Sequence, residues 1–163
     1  PNEPIIYPRM SENLHYEGEL AVVIKKTAKN VKAEDAEDYI LGYTCAIDVT
    51  ARDLQMKDGQ WTRSKSFDTF CPLGPAIAPK LDSQNLRIVT RVNGEVRQDS
   101  NTSQMVFGVP RLLEAVSSVM TLLPGDVILT GTPPGVGELK AGDEISVTIE
   151  GIGTLSTRVA AEE

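Results

Sequence analysis

One histidine, one tryptophan, two cysteines and an aromatic share of 5% are all that this 163-residue chain holds of the residues behind zinc centres, stacking platforms and disulfide frameworks. With Cys45 and Cys71 as the whole thiol inventory and no secretory leader visible, free thiols in a reducing cytoplasm are the expected state. His15, alone of its kind, cannot supply a multi-histidine metal site. Positive charge is also short: 16 Lys and Arg stand against 23 Asp and Glu, for a net charge of −7 and a pI near 4.8. Neutralising phosphates takes clustered basic side chains, so a nucleic-acid surface is excluded. No apolar run approaches the roughly 18 residues of a membrane-spanning helix, and the chain reads as soluble and cytoplasmic, with no membrane partner.

What is present is acidic side chains in apolar company. In HYEGELAVVI, residues 15–24, a β-branched run reads as one buried strand. Glu17 and Glu19 are two apart, so on a strand both point to one side, with His15 before them. Tyr16, Leu20, Val22 and Ile24 then form an ordinary core face. Two carboxylates at the mouth of an apolar strand repel each other and resist desolvation. Either this is the solvated face of an edge strand, or a cation sits between them. Oxygen-only ligands select a hard ion such as Mg2+, Mn2+ or Ca2+. Asp48, near the end of the apolar run YTCAIDV at 43–49, is a third acidic group in the same setting.

The rest of the chain reads as scaffold around these. Residues 1–13, broken by Pro4 and Pro8, predict an irregular lead-in, and 33–41 an acidic helix with Gly42 as its stop. Arg52 and Asp53 follow Asp48 closely, and on spacing alone they pair with each other at the surface. Residues 56–66 predict a polar loop that carries Lys65, and 76–78 a short strand. Asn93-Gly94 between alternating segments, 86–92 and 95–98, is the strongest hairpin signal. Pro110 opens a helix to about Met120, with Leu112, Leu113, Val116, Val119 and Met120 as its core stripe. Residues 127–130 predict a buried strand, and 144–149 with 154–159 a closing hairpin. Between these lies GTPPGVG, 131–137, which lacks the Lys-Ser/Thr of a phosphate loop. There Pro133 holds Thr132 extended, and glycines let backbone approach a ligand, so the Thr132 hydroxyl and bare N–H groups could hold a carboxylate. Many short strands and few helices make the fold β-rich.

Five segments, HYEGELAVVI, AIDVTARDLQ, WTRSKSFDTFCPLGP, VNGEVRQ and GDVILTGTPPGVG, occur in an order that resembles the fumarylacetoacetate hydrolase family. The resemblance runs along almost the whole chain. It is closest to the branch of acylpyruvate hydrolases, oxaloacetate decarboxylases and 2-hydroxyhepta-2,4-diene-1,7-dioate isomerases. It implies a mixed α/β, β-rich fold of the β-roll type with few short helices, a homodimer, and one Mg2+ or Mn2+ per site. Glu17, Glu19 and Asp48 fall on the family's metal-binding positions. Lys65, Arg52 and Asp53 fall on its catalytic ones. Lys65 and Thr132 fall on positions that meet the substrate, as does Gln55, one residue closer to Arg52 than in the family's Arg-Asp-x-x-Gln pattern. Residues 1–163 then form one catalytic domain that lacks an N-terminal portion carrying a His–Glu base. The implied activity is metal-dependent chemistry on a small 2-oxo acid through an enolate: oxaloacetate decarboxylation, acylpyruvate hydrolysis, or isomerisation of the diene. A metal-binding module without catalysis is the alternative of another class.

Overall fold

The computed structural model describes Pro1 and residues 3–162. Its strands are β1 (Ile5–Tyr7), β2 (Leu14–Tyr16), β3 (Gly18–Ile24), β4 (Ile40–Ile47), β5 (Thr50–Ala51), β6 (Leu73–Ala78), β7 (Arg87–Val92), β8 (Glu95–Asn101), β9 (Val127–Leu129), β10 (Gly137–Leu139), β11 (Glu144–Ile149) and β12 (Gly153–Ala161). The α-helices are short: α1 (Arg52–Asp58), α2 (Thr62–Lys65) and α3 (Val109–Val119). Three sheets result, in the orders β1-β12-β11-β7-β8, β10-β2-β5 and β6-β4-β3-β9. The architecture is the β-rich mixed α/β fold expected. No helix among the described residues is long and apolar enough to cross a membrane.

The central stretch departs from its expected form in a way that matters. Residues 15–24 are two strands in two different sheets, with Glu17 at the break between them. β2 pairs with β5 and β10, whereas β3 pairs with β4 and β9. All seven residues of β3 are buried, and Tyr16, Leu20, Val22 and Ile24 enter the core as expected. Leu14, Ile47, Leu139, Ile145, Ile149 and Leu155 join them, so one apolar cluster lies beneath all three sheets.

Several other elements shift for identifiable reasons. The lead-in is not irregular throughout, because β1 runs parallel to β12 from Ile5 opposite Val159. The acidic helix is a 3-10 turn, Ala33–Tyr39, and Gly42 does not stop it. Gly42 lies inside β4, where a Cβ would sit 2.5 Å from the Ala78 carbonyl oxygen of β6, so close strand packing requires glycine there. The loop expected over 56–66 is largely helical: α1 ends on Gly59 at φ 70°, and α2 carries Lys65. α3 covers the expected span, but Val119 and Met120 are exposed, and its buried side is Val109, Leu113 and Ser117. The Asn93-Gly94 hairpin forms as expected, with both residues at positive φ, 52° and 81°. The strands at 127–129, 144–149 and 153–161 form where the sequence places them. β6 is longer than expected, and Cys45 and Cys71 are free thiols.

Candidate metal centre

Three segments converge at the break between β2 and β3. Glu17 comes from the break itself, Glu19 from the second residue of β3, and Asp48 from just beyond the end of β4, whose register sets Gly18 opposite Ile47. The Asp48 N–H donates to the Glu17 carbonyl at 2.8 Å, which locks the two acidic residues side by side. One carboxylate oxygen from each of Glu17, Glu19 and Asp48 lies within 4.8 Å of the others. A single hard cation with metal–oxygen bonds of about 2.0–2.6 Å spans that spread.

Two basic side chains meet this cluster. Lys65, on α2, uses all three of its donors: Asp48 Oδ2 at 2.5 Å, Glu17 Oε2 at 3.0 Å and Thr50 Oγ1 at 3.0 Å. Arg52, at the first position of α1, gives Nη2 to Glu17 Oε1 at 2.5 Å and Nη1 to Gln55 Oε1 at 2.6 Å. Expected to pair with each other, Arg52 and Asp53 face opposite ways. Asp53 accepts from the Ser11 hydroxyl at 2.6 Å and the Glu12 N–H at 3.0 Å, away from the carboxylates. Gln55 is buried beside Arg52.

Glu19 is the anomaly that tests the fit of a cation. It is 3% exposed and has no cationic partner among the described residues; its one hydrogen bond is from the Gly131 N–H to Oε2, at 2.6 Å. Burial, with Asp48 and Glu17 adding repulsion, pushes its carboxyl up to about 7. Burial also raises Asp48, against the pull of Lys65. For Lys65, burial favours the neutral amine, but Asp48 and Glu17 outweigh it and raise its pKa, so the ammonium persists. Three convergent carboxylates, one of them buried and unpaired with a cation, form a donor set that suits a divalent ion.

The surroundings narrow what else the site can do. The Thr132 hydroxyl, expected to meet a ligand, instead donates to the Gly18 carbonyl at 2.9 Å and accepts from Gln98 Nε2 at 2.8 Å. The loop's N–H groups are what remain for an anion, and Gly131 already spends its own on Glu19. His15 pairs in register with Thr50 and Glu138, and its Nδ1 is buried without a partner among the described residues. Burial and the neighbouring Arg52 hold its pKa down. Cysteine nucleophiles are disfavoured: burial pushes the Cys45 thiol up to about 11 and raises Cys71 as well. Sequence reasoning missed Gln98, whose place in an exposed-looking hairpin strand gave no hint of burial.

The relatives bear on this arrangement. A crystal structure of 5-carboxymethyl-2-hydroxymuconate delta-isomerase from Mycobacterium smegmatis superposes with a TM-score of 0.98 at 55% identity, covering 100% of this chain and 65% of that one. An oxaloacetate tautomerase of Rattus norvegicus mitochondria is 50% identical over 170 residues, 98% of this chain and 54% of the relative. Fumarylpyruvate hydrolase from Pseudomonas aeruginosa, in complex with Mn2+ and pyruvate, superposes with a TM-score of 0.93 at 36% identity, covering 99% of this chain and 72% of that one. The chain thus spans about half to three quarters of the length of these enzymes. The model of the fumarylacetoacetate (FAA) hydrolase C-terminal family matches residues 1–160, and the chain belongs to that family.

Proposed function

We propose that the protein is a divalent-metal-dependent enzyme that moves protons between the keto and enol forms of a small 2-oxo acid. Glu17, Glu19 and Asp48 would hold the ion, Mg2+ or Mn2+. When bound, such an ion supplies Lewis-acid polarisation of the 2-oxo group. The chain's own side chains hold and orient the site, and the proton at carbon passes to the His–Glu base that the family resemblance implies in an N-terminal portion. Lys65 keeps its proton at Nζ, with its three donors spent on Asp48, Glu17 and Thr50, so it holds the two carboxylates in place and supplies a fixed positive charge beside oxygen on which negative charge grows, and is not a base. Arg52 fixes the second oxygen of Glu17 and orients the Gln55 carboxamide, which fills the wall beside it. The extended Thr132, beside Pro133, offers its N–H to a substrate carboxylate while its hydroxyl stays turned into the protein. Asp53 holds the turn at residues 11–12. The single observation that carries this reading is the buried Glu19 converging with Glu17 and Asp48.

Tautomerisation and isomerisation are favoured over cleavage because relatives at 50% identity and above include oxaloacetate tautomerases and isomerases of hydroxymuconate- and diene-type acids. Carbon–carbon cleavage by hydrolysis or decarboxylation is the second reading, supported by the Mn2+- and pyruvate-bound relative at 36% identity. A homodimer is carried over with the family and is checked by sedimentation. The deciding experiment gives the full-length protein enol oxaloacetate, acetylpyruvate, fumarylpyruvate and 2-hydroxyhepta-2,4-diene-1,7-dioate, each with Mg2+, with Mn2+ and with a chelator. Loss of the enol absorbance without release of pyruvate, dependent on the cation, is expected. Turnover that survives chelation overturns the reading.

A further inference from the structure

Gln98 is 1% exposed, on β8 of a sheet that contributes no carboxylate to the cluster. Its side chain crosses to the break between β2 and β3. Oε1 accepts the Gly18 N–H at 3.1 Å, and Nε2 donates to Thr132 Oγ1 at 2.8 Å and to the Pro133 carbonyl at 2.7 Å. Thr132 Oγ1 in turn donates to the Gly18 carbonyl at 2.9 Å, which closes a hydrogen-bonded ring. The orientation of the amide is forced. Reversed, its NH2 would face the Gly18 N–H and its oxygen would face the Pro133 carbonyl. Gly18 is the residue between Glu17 and Glu19, and a Cβ there would meet Thr90 Oγ1 at 2.1 Å and Gln98 Oε1 at 3.1 Å. The 131–137 loop also lies close against β8 beside Gln98, where a Cβ on Gly135 would meet the Arg97 carbonyl oxygen at 2.3 Å.

We infer that Gln98 is a positioning residue for the acidic cluster, tying the backbone between Glu17 and Glu19 to the loop whose Gly131 N–H holds Glu19. The inference rests on the metal-binding reading above. One buried amide sets two distances at once: the spacing of the two glutamates across Gly18, and the approach of Gly131 to Glu19 Oε2. Without it, the Gly18 N–H and the Pro133 carbonyl lose their partner, and the two segments are free to part.

The test is Mn2+ binding to the full-length protein followed by electron paramagnetic resonance, with apo melting temperatures measured alongside. Gln98→Met keeps the length of the side chain and removes its polar atoms; a loss of Mn2+ affinity of about 10–100-fold is expected, as for residues that orient metal ligands. Thr132→Val breaks the same ring from its other side and serves if the methionine variant does not fold, while Thr132→Ser, which keeps the hydroxyl, restores binding. Leu113→Ala, on α3, an element that supplies no residue to the ring or to the cluster, lowers the melting temperature and leaves Mn2+ affinity unchanged. Wild-type affinity in Gln98→Met or in Thr132→Val overturns the inference. So does an equal loss of affinity in Leu113→Ala, since that is general loosening. A wild-type protein that binds no Mn2+ is a separate result, which overturns the metal reading itself.

Discussion

At the scale of single residues, the cluster is a balance of three acidic groups against two basic ones. Lys65 and Arg52 both lean on Glu17, Lys65 also on Asp48, and neither makes an ion pair with Glu19. Asp48→Ala leaves Lys65 with Glu17 and Thr50 as partners, so the fold is expected to survive. Turnover with Mg2+ or Mn2+ is expected to fall by at least about 10–100-fold, the loss typical of residues that only orient a metal ligand. Steady-state rates and a circular dichroism spectrum together check it. Activity retained at the wild-type level removes Asp48 from the site.

At the scale of elements, α1 shows how one helix holds both the site and the scaffold. Its first residue, Arg52, reaches the cluster, while its second, Asp53, reaches back to the turn before β2. Burial acts to raise the Asp53 carboxyl, but the hydrogen bonds from Ser11 and Glu12 prevail and hold it below the usual carboxylate range. A lowered folded-state pKa means that Asp53 contributes stability above the unfolded value, and that this contribution fades as pH falls through the folded value. Asp53→Asn is therefore expected to cost about 1 kcal/mol at pH 7, a partly exposed charged hydrogen bond. The same variant should match wild type in strong acid, as urea denaturation at the two pH values will show.

Elements also mark where the sequence was legible. Asn93-Gly94 announced its hairpin because the turn needs positive φ, a requirement written in two adjacent letters. Glu17, Glu19 and Asp48 stood out because carboxylates in apolar runs are costly wherever they fall. The break at Glu17 escapes notice because the alternation of 14–16 and the apolar run of 20–24 read as one strand, although Gly18 between them is the kind of residue that marks an interruption. What ends β2 and starts β3 is pairing with separate strands distant in the chain. Gly42 misled for a similar reason: a glycine after an acidic helical stretch reads as a cap, and only the nearness of β6 gives it another purpose. Gln98 was silent because its neighbours Arg97 and Asp99 are exposed, and nothing local distinguishes a buried amide between them.

At the scale of the whole molecule, a net charge of −7 sits on a scaffold whose cluster concentrates part of that excess. A cation that binds only the folded form stabilises it by mass action, by about 2.7 kcal/mol at a free concentration of 100 times its dissociation constant. The melting temperature is accordingly expected to climb with added Mn2+, and not to climb in Asp48→Ala. A flat response in wild type would show that the cluster takes no ion.

The parallel pairing of β1 with β12 brings the first strand against the last. During synthesis β1 therefore stays without its partner until β12 has been made. Glu19 likewise waits for Gly131, and Gly18 for Gln98, before either can settle. Such far-reaching closure makes for slow, late folding. In the cell, the acidic residues of β3 are fixed in place only once the long stretch that separates them from Gly131 has been made.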